Sequence, residues 1–571
     1  GAAADMLLGA WLLRYSLASF RRLDAFAAVV FGMLAATATA RADILEPERL
    51  SSGVFRYGRT NPDFGHVYFY REGKTASVAV RGHPVTHVMT IITNGKPDAS
   101  VRLDPDFPPT SDEYTQTLVA ALPLLIKPDA KTFASIGWGS GLTAEVVLSH
   151  GGPRVLDNIE IEPAMVSGAR AFFPRVARPY RDSRSNVYFE DAKSYFARHA
   201  KRYDVIMSEP SNPWVNGVAG LFTTEFYRDT KRYLAPGGLF VQWLHVYEFN
   251  DRLLGSVLAA LSENFADYEI YEANIGDLMV VAVAEGRVPR PGALPEKETG
   301  FREQLGRLGI TRIEEISARS LGAKKQVGPL FSALAPPVNS DFRPFVQLEA
   351  PRARFQGSRA RALSSLAEAP LPILEMAAGA MTTYLPGPVD EYVISPRIRI
   401  QSAALEIARG LTDRAADPLD SKEPVAIRIL LTLKRPGALC GGEPSKAALE
   451  QLHSAAEITL SNLAPERRRA LWIERRWLGC TPRSPEVRER LQVYAAVAAR
   501  DARAMLERAR SLLAEPAKEG DWGRYLLVTA MLGAHATGKH EEARRLWETY
   551  GSKLYPDGDI PPYVVYLVSL S

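Results

Sequence analysis

The chain has 571 residues, of which 46% are hydrophobic and 23% are charged. At about 150 residues per domain, this length allows three to four domains that each bury a core. The 69 basic and 65 acidic residues leave a formal net charge of only +4. Because no basic stripe interleaved with aromatic side chains stands out, nucleic acid is not an expected partner.

The first predicted element is an apolar run at residues 25–40, within an N-terminal segment at residues 1–44. Its sixteen residues are short for a membrane span, which needs about 20. The run ends in Ala40-Arg41-Ala42, a pattern typical of signal-peptidase sites. A cleaved signal peptide, a single anchor and the stub of a larger membrane domain all stay open. Arginines on both sides of the run leave its orientation undecided.

Residues 45–110 are predicted to form a small antiparallel β-sheet of hairpins. Runs rich in β-branched and aromatic residues alternate there with turn signals. The runs are residues 67–70, 76–80 and 88–92, and the turns are residues 72–74 and 94–96.

Residues 111–350 change to a pattern of alternating strands and helices. After a helix that runs from Ser111 to about Leu125, the predicted strands are residues 132–136, 155–161, 187–189, 203–208, 239–244, 268–271 and 277–283. The predicted helices between them are residues 142–150, 164–172, 192–200 and 223–234. This alternation predicts a parallel, doubly wound, Rossmann-like α/β sheet.

Residues 351–571 are predicted to be all-α. A turn at residues 537–543 resembles that of a tetratricopeptide-like hairpin, but no clean 34-residue self-similarity is visible. A helical repeat and an appendage packed on the catalytic domain are therefore both open. The two cysteines, Cys440 and Cys480, form no metal site, and one disulfide between them stays open. Two reduced thiols are expected if the protein is cytoplasmic.

The sharpest local signal is a glycine-rich loop that follows a predicted strand and opens a helix. Gly137, Gly139, Ser140 and Gly141 are the candidate nucleotide-binding residues in it. Glycines let the backbone turn tightly and approach a ligand, and the helix N-terminus offers unpaired N–H groups. A glycine-rich strand end also occurs for purely structural reasons.

Acidic residues end the next three predicted strands. Glu160, nineteen residues beyond Gly141, could accept ribose hydroxyls, and Asp191, next to Ala192, could meet an adenine amino group. Glu209 ends the fourth strand. Because the carboxyl ends of parallel strands share one edge of a sheet, these groups are expected to form one nucleotide-binding crevice. The spacing of Glu160 alone would also suit a nicotinamide dinucleotide.

The order of these motifs resembles the spermidine synthase family of polyamine aminopropyltransferases. The motifs that carry the resemblance are Gly137-x-Gly-x-Gly141, Ile159-Glu-Ile-Glu-Pro163, Glu190-Asp-Ala192, Tyr203-Asp-Val-Ile206 and Leu234-x-Pro-Gly-Gly238. Residues 209–214 (EPSNPW) and 338–341 (VNSD) are more similar to the bacterial branch that is fused to membrane segments. The resemblance covers about residues 50–350.

The resemblance implies an enzyme that binds S-adenosylmethionine or its decarboxylated form. Such an enzyme transfers an aminopropyl group to a small amine or polyamine and releases methylthioadenosine. Glu160 would then hold the ribose, Asp191 the adenine and the glycine loop the methionine-derived end. The family's members commonly dimerise, so a homodimer is expected, and the helical region offers a surface for a protein partner.

Two positions depart from the family pattern. Ser140 stands where the family has the Asp that holds the substrate's amino group, and the family's Asp-x-x-Asp pair reads Glu209 and Asn212 here. The attacking amine must lose a proton to a base, which Glu209 can accept and Asn212 cannot. With one negative charge fewer, the chain is expected to use putrescine weakly and to prefer a less charged acceptor.

Two further residues are candidates for the amine site. Tyr114 matches a family position that lines the amine pocket, and His245 follows a strand end and could accept a proton. Tyr114 could equally serve in packing alone, and for His245 a hydrogen-bonded structural role is favoured. No His/Cys cluster has metal-ligand spacing, so no metal is expected.

Three functional hypotheses stay open from the sequence. The first is aminopropyl transfer, and the second keeps the nucleotide site for methyl transfer or sulfonium cleavage. The third is a catalytically lapsed module whose helical region binds a protein partner. Adenosyl sulfonium compounds are made in the cytoplasm, so the soluble domains are expected there, with residues 25–40 as an anchor. The signal-like end of that run favours a periplasmic or secreted protein instead.

Overall fold

The computed structural model describes residues 46–59, 65–215, 217–389, 395–413, 415–515 and 520–571, together with residues 8, 9, 11, 30, 32, 33 and 37. Most of the predicted apolar run at residues 25–40 lies outside the described residues, and the signal-like motif at residues 40–42 lies wholly outside them. Within the described ranges, no helix is both long and apolar enough to cross a membrane.

A four-stranded antiparallel sheet, in the order β1-β2-β3-β4, comes first along the chain. Its strands are β1 (His66–Glu72), β2 (Ser77–His83), β3 (Val88–Thr93) and β4 (Lys96–Arg102). Between β3 and β4, Asn94 and Gly95 both have a positive φ, 49° and 75°, which is what a two-residue hairpin turn requires. The predicted N-terminal hairpin sheet is therefore confirmed.

The larger sheet has eight strands in the order β12-β10-β11-β9-β8-β5-β6-β7. They are β5 (Thr132–Ile136), β6 (Val155–Ile159), β7 (Ser185–Tyr188), β8 (Tyr203–Ser208), β9 (Leu234–His245), β10 (Asp267–Glu272), β11 (Asp277–Val283) and β12 (Ser320–Ala323). Strands β5 to β9 pair in parallel, whereas β10, β11 and β12 pair antiparallel. The predicted Rossmann-like sheet is confirmed, with the short β12 as an unpredicted addition.

Helices cover both faces of this sheet. They are Ser111–Ile126, Leu142–Ser149, Pro163–Gly168, Arg178–Arg181, Ala192–His199, Thr224–Lys231, Asp251–Asn264, Thr299–Arg307, Glu314–Ser317 and Lys324–Ala333. Along β8, Val205 lies in one hydrophobic core and Ile206 in the other. Because both faces are buried, the strands read as continuous apolar runs rather than alternating ones.

The chain beyond residue 344 is helical, as predicted. Its helices are Phe345–Phe355, Ala362–Ala367, Ile373–Ala378, Pro396–Thr412, Pro424–Leu433, Lys446–Asn462, Pro465–Arg469, Pro485–Ala499, Ala502–Leu513, Gly520–Ala536, His540–Leu554 and Pro562–Ser569. Their unequal lengths give no support to the helical-repeat hypothesis.

Cys440 and Cys480 form a disulfide, with their Cα atoms 6.1 Å apart. Two short helices, Pro47–Leu50 and Val54–Tyr57, precede the first sheet.

Glu162, just beyond the end of β6, fastens the first sheet to the second. Its Oε2 accepts hydrogen bonds from the Thr75 N–H (2.7 Å), the Thr75 hydroxyl (2.9 Å) and the Ala76 N–H (3.3 Å). Its Oε1 accepts one from the Ala164 N–H at 3.0 Å. Burial alone would raise the pKa of Glu162, but these hydrogen bonds hold it below its usual range. The carboxylate therefore locks the loop before β2 onto the strand ends.

We predict that Glu162→Gln destabilises the protein by about 1.5–3 kcal/mol at pH 7, the scale of a hydrogen bond to a charged group. Because the folded-state pKa is depressed, this stabilisation is present above the unfolded pKa of about 4.3 and is lost as the pH falls. Urea denaturation at pH 7 and at pH 4 measures the effect, with the exposed Glu285→Gln as the control. An equal deficit at both pH values would contradict the prediction.

Candidate active site

A cavity of about 440 Å³ lies where the carboxyl ends of the parallel strands meet the first sheet. Its wall includes the loop after β5 with Gly137 and Gly139, Glu160 after β6, Asp191 after β7 and Glu209 after β8. The structure thus brings together, at one cavity, polar groups from four successive strand ends. This is the position at which ligands bind in open α/β sheets.

The glycine loop after β5 turns tightly against the end of β8. Gly137 has a φ of 93°, and a Cβ at this position would lie 2.4 Å from the carbonyl oxygen of Glu209. Only glycine fits there. The Gly137 N–H donates to Ile159 O (2.9 Å), and the Glu209 N–H donates to Ile136 O (3.0 Å). Gly141, at a φ of 84°, then starts the following helix.

Glu160 is held rigidly at the cavity wall by two backbone groups. Its Oε2 accepts a hydrogen bond from the Trp138 N–H (3.0 Å) and its Oε1 one from the Glu162 N–H (2.8 Å). Burial raises the pKa of Glu160 to about 7, while the two backbone hydrogen bonds oppose that shift. Additional donors, such as a pair of ribose hydroxyls, would stabilise the charged form.

Asp191 lies exposed at the rim of the same end of the cavity. Its carboxylate accepts a hydrogen bond from the Ser194 N–H at 3.0 Å and caps the helix that begins at Ala192. Ala192, Ile161 and Leu221 supply apolar surface to the wall, and Ile161 is 50% exposed there. An acidic rim beside an apolar wall suits a flat base with an exocyclic amino group.

Three carboxylates, Asp112, Glu209 and Asp277, occupy the other end of the cavity. Each accepts a hydrogen bond from a hydroxyl group: Ser100 to Asp112 (2.6 Å), Thr143 to Glu209 (2.7 Å) and Thr115 to Asp277 (2.7 Å). Burial raises the pKa of Glu209 to about 7 and that of Asp112 to about 6, and repulsion within the group adds to both shifts. The pKa of Asp277 is raised as well, chiefly by burial.

This group of acids favours a bound organic cation. Like charges that are buried together raise one another's pKa, and a cation placed between them removes that penalty. No set of three or more His, Cys, Asp and Glu side chains in the described ranges could hold a metal ion.

The structure does not bring Tyr114 to the cavity. Its side chain is fully buried, and its hydroxyl donates to Leu308 O at 3.0 Å. Asp112, Thr115 and Gln116 of the same helix line the cavity instead. Their spacing of i, i+3 and i+4 places them on one helix face, which excludes position 114. That polar spacing was the signal in the sequence that would have found them.

His245 also lies outside the cavity wall. Its ring packs among Trp243, Tyr247 and Phe249, with centroids 4.9–5.6 Å away. Burial, assisted by the positive charges of Lys96 and Arg56, lowers the pKa of His245 to about 3. At neutral pH this neutral ring is a weak base, which disfavours the predicted role in proton transfer.

The two positions that depart from the family pattern have different surroundings. Ser140 is fully buried and its hydroxyl donates to Gln116 Oε1, so it does not face the cavity. Asn212 does line the cavity and is also fully buried. Its amide Nδ2 and Oδ1 make no hydrogen bond of normal geometry, and the Tyr247 hydroxyl lies beside it.

The loop after β8 is attached to the first sheet by residues that the sequence did not indicate. Lys96 forms an ion pair with Asp98 and donates to Ser211 Oγ at 3.0 Å, and the Ser211 hydroxyl donates to Asp98 at 2.8 Å. The Arg354 guanidinium lies 4.1 Å from the centroid of the Trp214 ring in the same loop. These contacts hold the part of the loop that carries Asn212 at the cavity wall.

Comparison with known proteins identifies the family. A model of the spermine/spermidine synthase domain matches residues 112–280. The polyamine aminopropyltransferase of Pectobacterium carotovorum is 30% identical over 207 residues, which is 35% of this chain and 70% of that protein. That of Moorella thermoacetica is 30% identical over 158 residues, 28% of this chain and 56% of that protein. The chain belongs to the spermine/spermidine synthase family.

The matches cover only part of this chain and only part of each relative. The chain spans about half the length of the first curated relatives, 47% to 58% of each. A probable spermidine synthase structure from Corynebacterium glutamicum is 18% identical, with a TM-score of 0.35, over 48% of this chain and 96% of that one. Such a low similarity places no individual residue. Neither these matches nor the described helices support the predicted fusion to membrane segments.

We predict that Glu160→Gln weakens the binding of methylthioadenosine by about 1.5–3 kcal/mol, because one charged acceptor for the ribose hydroxyls is lost. Since the pKa of Glu160 is about 7 in the free protein, wild-type affinity should rise as the pH increases through 7. The variant should lack the part of this pH dependence that comes from Glu160.

Calorimetric titration at pH 6 and pH 8 measures both effects. The exposed Asp106→Asn serves as the matched control, because its side chain lies outside the cavity wall. Unchanged affinity in a folded Glu160→Gln protein would remove Glu160 from the site.

Proposed function

We propose that this protein transfers the aminopropyl group of decarboxylated S-adenosylmethionine to an amine. The observation that carries the proposal is one cavity with Glu160 and Asp191 at one end and three carboxylates at the other, of which Asp277 is buried and Asp112 and Glu209 are half-buried. The sulfonium donor and the amine acceptor are both cations at neutral pH, so both are suited to a negative cavity. Membership of the spermine/spermidine synthase family supports the same chemistry.

In this proposal the adenosine part of the donor binds beside the glycine loop. Glu160 accepts the ribose hydroxyls, and Asp191 accepts the adenine amino group. The sulfonium and its aminopropyl chain then extend toward Glu209, which follows the neighbouring strand. The absence of a side chain at Gly137 lets the glycine loop approach the carbonyl oxygen of Glu209 closely.

The reaction forms a carbon–nitrogen bond and breaks a carbon–sulfur bond. The amine nitrogen attacks the carbon that joins the aminopropyl chain to sulfur. The bonding pair stays on sulfur, and methylthioadenosine leaves as a neutral thioether. The nitrogen becomes a secondary ammonium group, so the only proton to be removed is the one that blocked the lone pair of the entering amine.

We assign the removal of that proton to Glu209. Primary amines have pKa values near that of lysine, about 10.4, and therefore enter as ammonium ions. Burial raises the pKa of Glu209 to about 7, so it is a better proton acceptor than an exposed carboxylate and still mostly ionised above neutral pH. The hydrogen bond from the Thr143 hydroxyl (2.7 Å) fixes its orientation.

We predict that Glu209→Gln lowers turnover by about 10²–10⁴-fold, the usual contribution of a general base, and leaves methylthioadenosine binding unchanged. The wild-type rate should rise with pH through about 7, because Glu209 must be deprotonated to act. Chromatographic detection of released methylthioadenosine, with putrescine as acceptor, measures the rate.

Three comparisons make this test decisive. Asn212→Asp should raise the putrescine-dependent rate, because it restores a negative charge at the cavity wall, whereas Glu285→Gln should have no effect. Turnover that survives Glu209→Gln would show that another group takes the proton. A product formed only from ordinary S-adenosylmethionine would favour methyl transfer or sulfonium cleavage over aminopropyl transfer.

We propose further that the helical region resides in an oxidising compartment. The support for this is the Cys440–Cys480 disulfide, since cytosolic reductants keep most thiols reduced. This favours the periplasmic or secreted alternative over the cytoplasmic location that the adenosyl donor implied. The donor would then have to be supplied outside the cytoplasm.

We predict that a thiol-blocking reagent modifies neither Cys440 nor Cys480 when it is present while the protein is isolated from the cells that naturally make it. Mass spectrometry of the peptides that contain the two cysteines measures this modification. Breaking the bond with Cys440→Ser should cost about 2–4 kcal/mol of stability in oxidised samples and little in reduced ones. Two blocked thiols would place the helical region in a reducing compartment.

A further inference from the structure

We infer that Asp277 and Asp112 form a binding site for an alkylammonium group, separate from the carboxylate of Glu209. The inference deepens the proposed function, on which it rests, by naming the part of a substrate that this end of the cavity binds. Two sources could supply the group: the aminopropyl end of the donor or the far amine of a diamine acceptor. The chemistry that the site recognises is the same for both.

Asp277 carries the strongest evidence, because one of its oxygens is left unused. The residue begins β11, is 8% exposed and lines the cavity. Its Oδ2 accepts hydrogen bonds from Thr115 Oγ1 (2.7 Å) and Asn274 Nδ2 (3.0 Å). Its Oδ1 is buried and makes no hydrogen bond of normal geometry, and the Trp243 indole N–H lies next to the carboxylate and interacts with it. A buried, unpaired carboxylate oxygen is costly unless a ligand satisfies it.

Asp112 supplies the second charge from the first turn of the helix Ser111–Ile126. It lines the same cavity, and its Oδ2 accepts a hydrogen bond from the Ser100 hydroxyl at 2.6 Å. Asp277 and Tyr247 line the same cavity as Asp112, and the negative charge of Asp277 acts on Asp112. An ammonium group between the two carboxylates would neutralise their mutual repulsion.

Beside the two aspartates, the cavity wall carries the neutral amide of Asn212, which can form hydrogen bonds but cannot accept a proton as a base. The amide of Asn212 is fully buried, makes no hydrogen bond of normal geometry and lies beside Tyr247. The positive charge of Lys96 reaches both Asp112 and Asp277, but Lys96 already pairs with Asp98 and bonds to Ser211. The two acids therefore remain available to a cationic ligand.

The helix Ser111–Ile126 also links this site to the serine in the glycine loop. Ser140 contributes no charge, and it is bonded to Gln116, the neighbour of Thr115 on the same helix. Thr115 in turn holds Asp277. The helix Ser111–Ile126 thus contacts the glycine loop through Gln116 and Asp277 through Thr115.

Calorimetric titration of the full chain distinguishes the two sources of the ammonium group. The ligands are decarboxylated S-adenosylmethionine, methylthioadenosine (which lacks the aminopropyl group) and putrescine. Asp277→Asn should weaken one ammonium-bearing ligand by about tenfold or more and leave methylthioadenosine unchanged. A loss confined to the decarboxylated donor assigns the site to the aminopropyl end, and a loss confined to putrescine assigns it to the acceptor.

Asp112→Asn gives an independent second measurement if the first variant does not fold, and Asp277→Glu should recover part of the affinity. Asp251→Asn is the matched control, because Asp251 is also an aspartate whose pKa is raised by burial but lies outside the cavity. The inference is overturned if both ammonium-bearing ligands bind to Asp277→Asn and Asp112→Asn as they do to the wild type. If the wild type binds neither adenosyl ligand, the proposed function fails, whereas the putrescine titration still tests the ammonium site.

Discussion

The close approach of Gly137 to the carbonyl oxygen of Glu209 is the constraint on which the site depends. It allows the loop after β5 to cross the end of β8 without a side chain between them. Glu160 is held from the same loop through the Trp138 N–H, and Glu209 follows the strand that the loop crosses. A larger residue at position 137 would push both carboxylates away from a common cavity.

Around that loop, the protein keeps several carboxylates where their ionisation is unfavourable. Burial raises the pKa values of Glu160 and Glu209 to about 7 and that of Asp112 to about 6. A carboxyl group whose folded-state pKa is raised stabilises the fold at low pH, and this contribution is lost as the pH rises through that pKa. Above neutral pH the ionised carboxylates of the ligand-free site therefore lower the free energy of unfolding, and a bound cation would restore part of it.

Much of the fold could be read from local patterns. The bounds of β5, β8 and β11 agree with the predicted strands, because short apolar runs between turn signals are typical of strands buried on both faces. Tyr114 shows where reading a single position fails. Which face of a long, largely apolar helix meets the cavity depends on what packs against the other side, and Leu308 provides that contact.

The sequence by itself determined that Glu160, Asp191 and Glu209 meet, because the carboxyl ends of parallel strands lie at the same edge of a sheet. Only the tertiary structure decided that Asp277 joins them. It is held by Thr115, a residue 162 positions earlier in the chain, and no local periodicity encodes such a pairing. The same holds for Lys96 and Ser211, which are 115 positions apart. Contacts of this kind arise when separate elements pack on one core, so they follow from the arrangement of the whole chain.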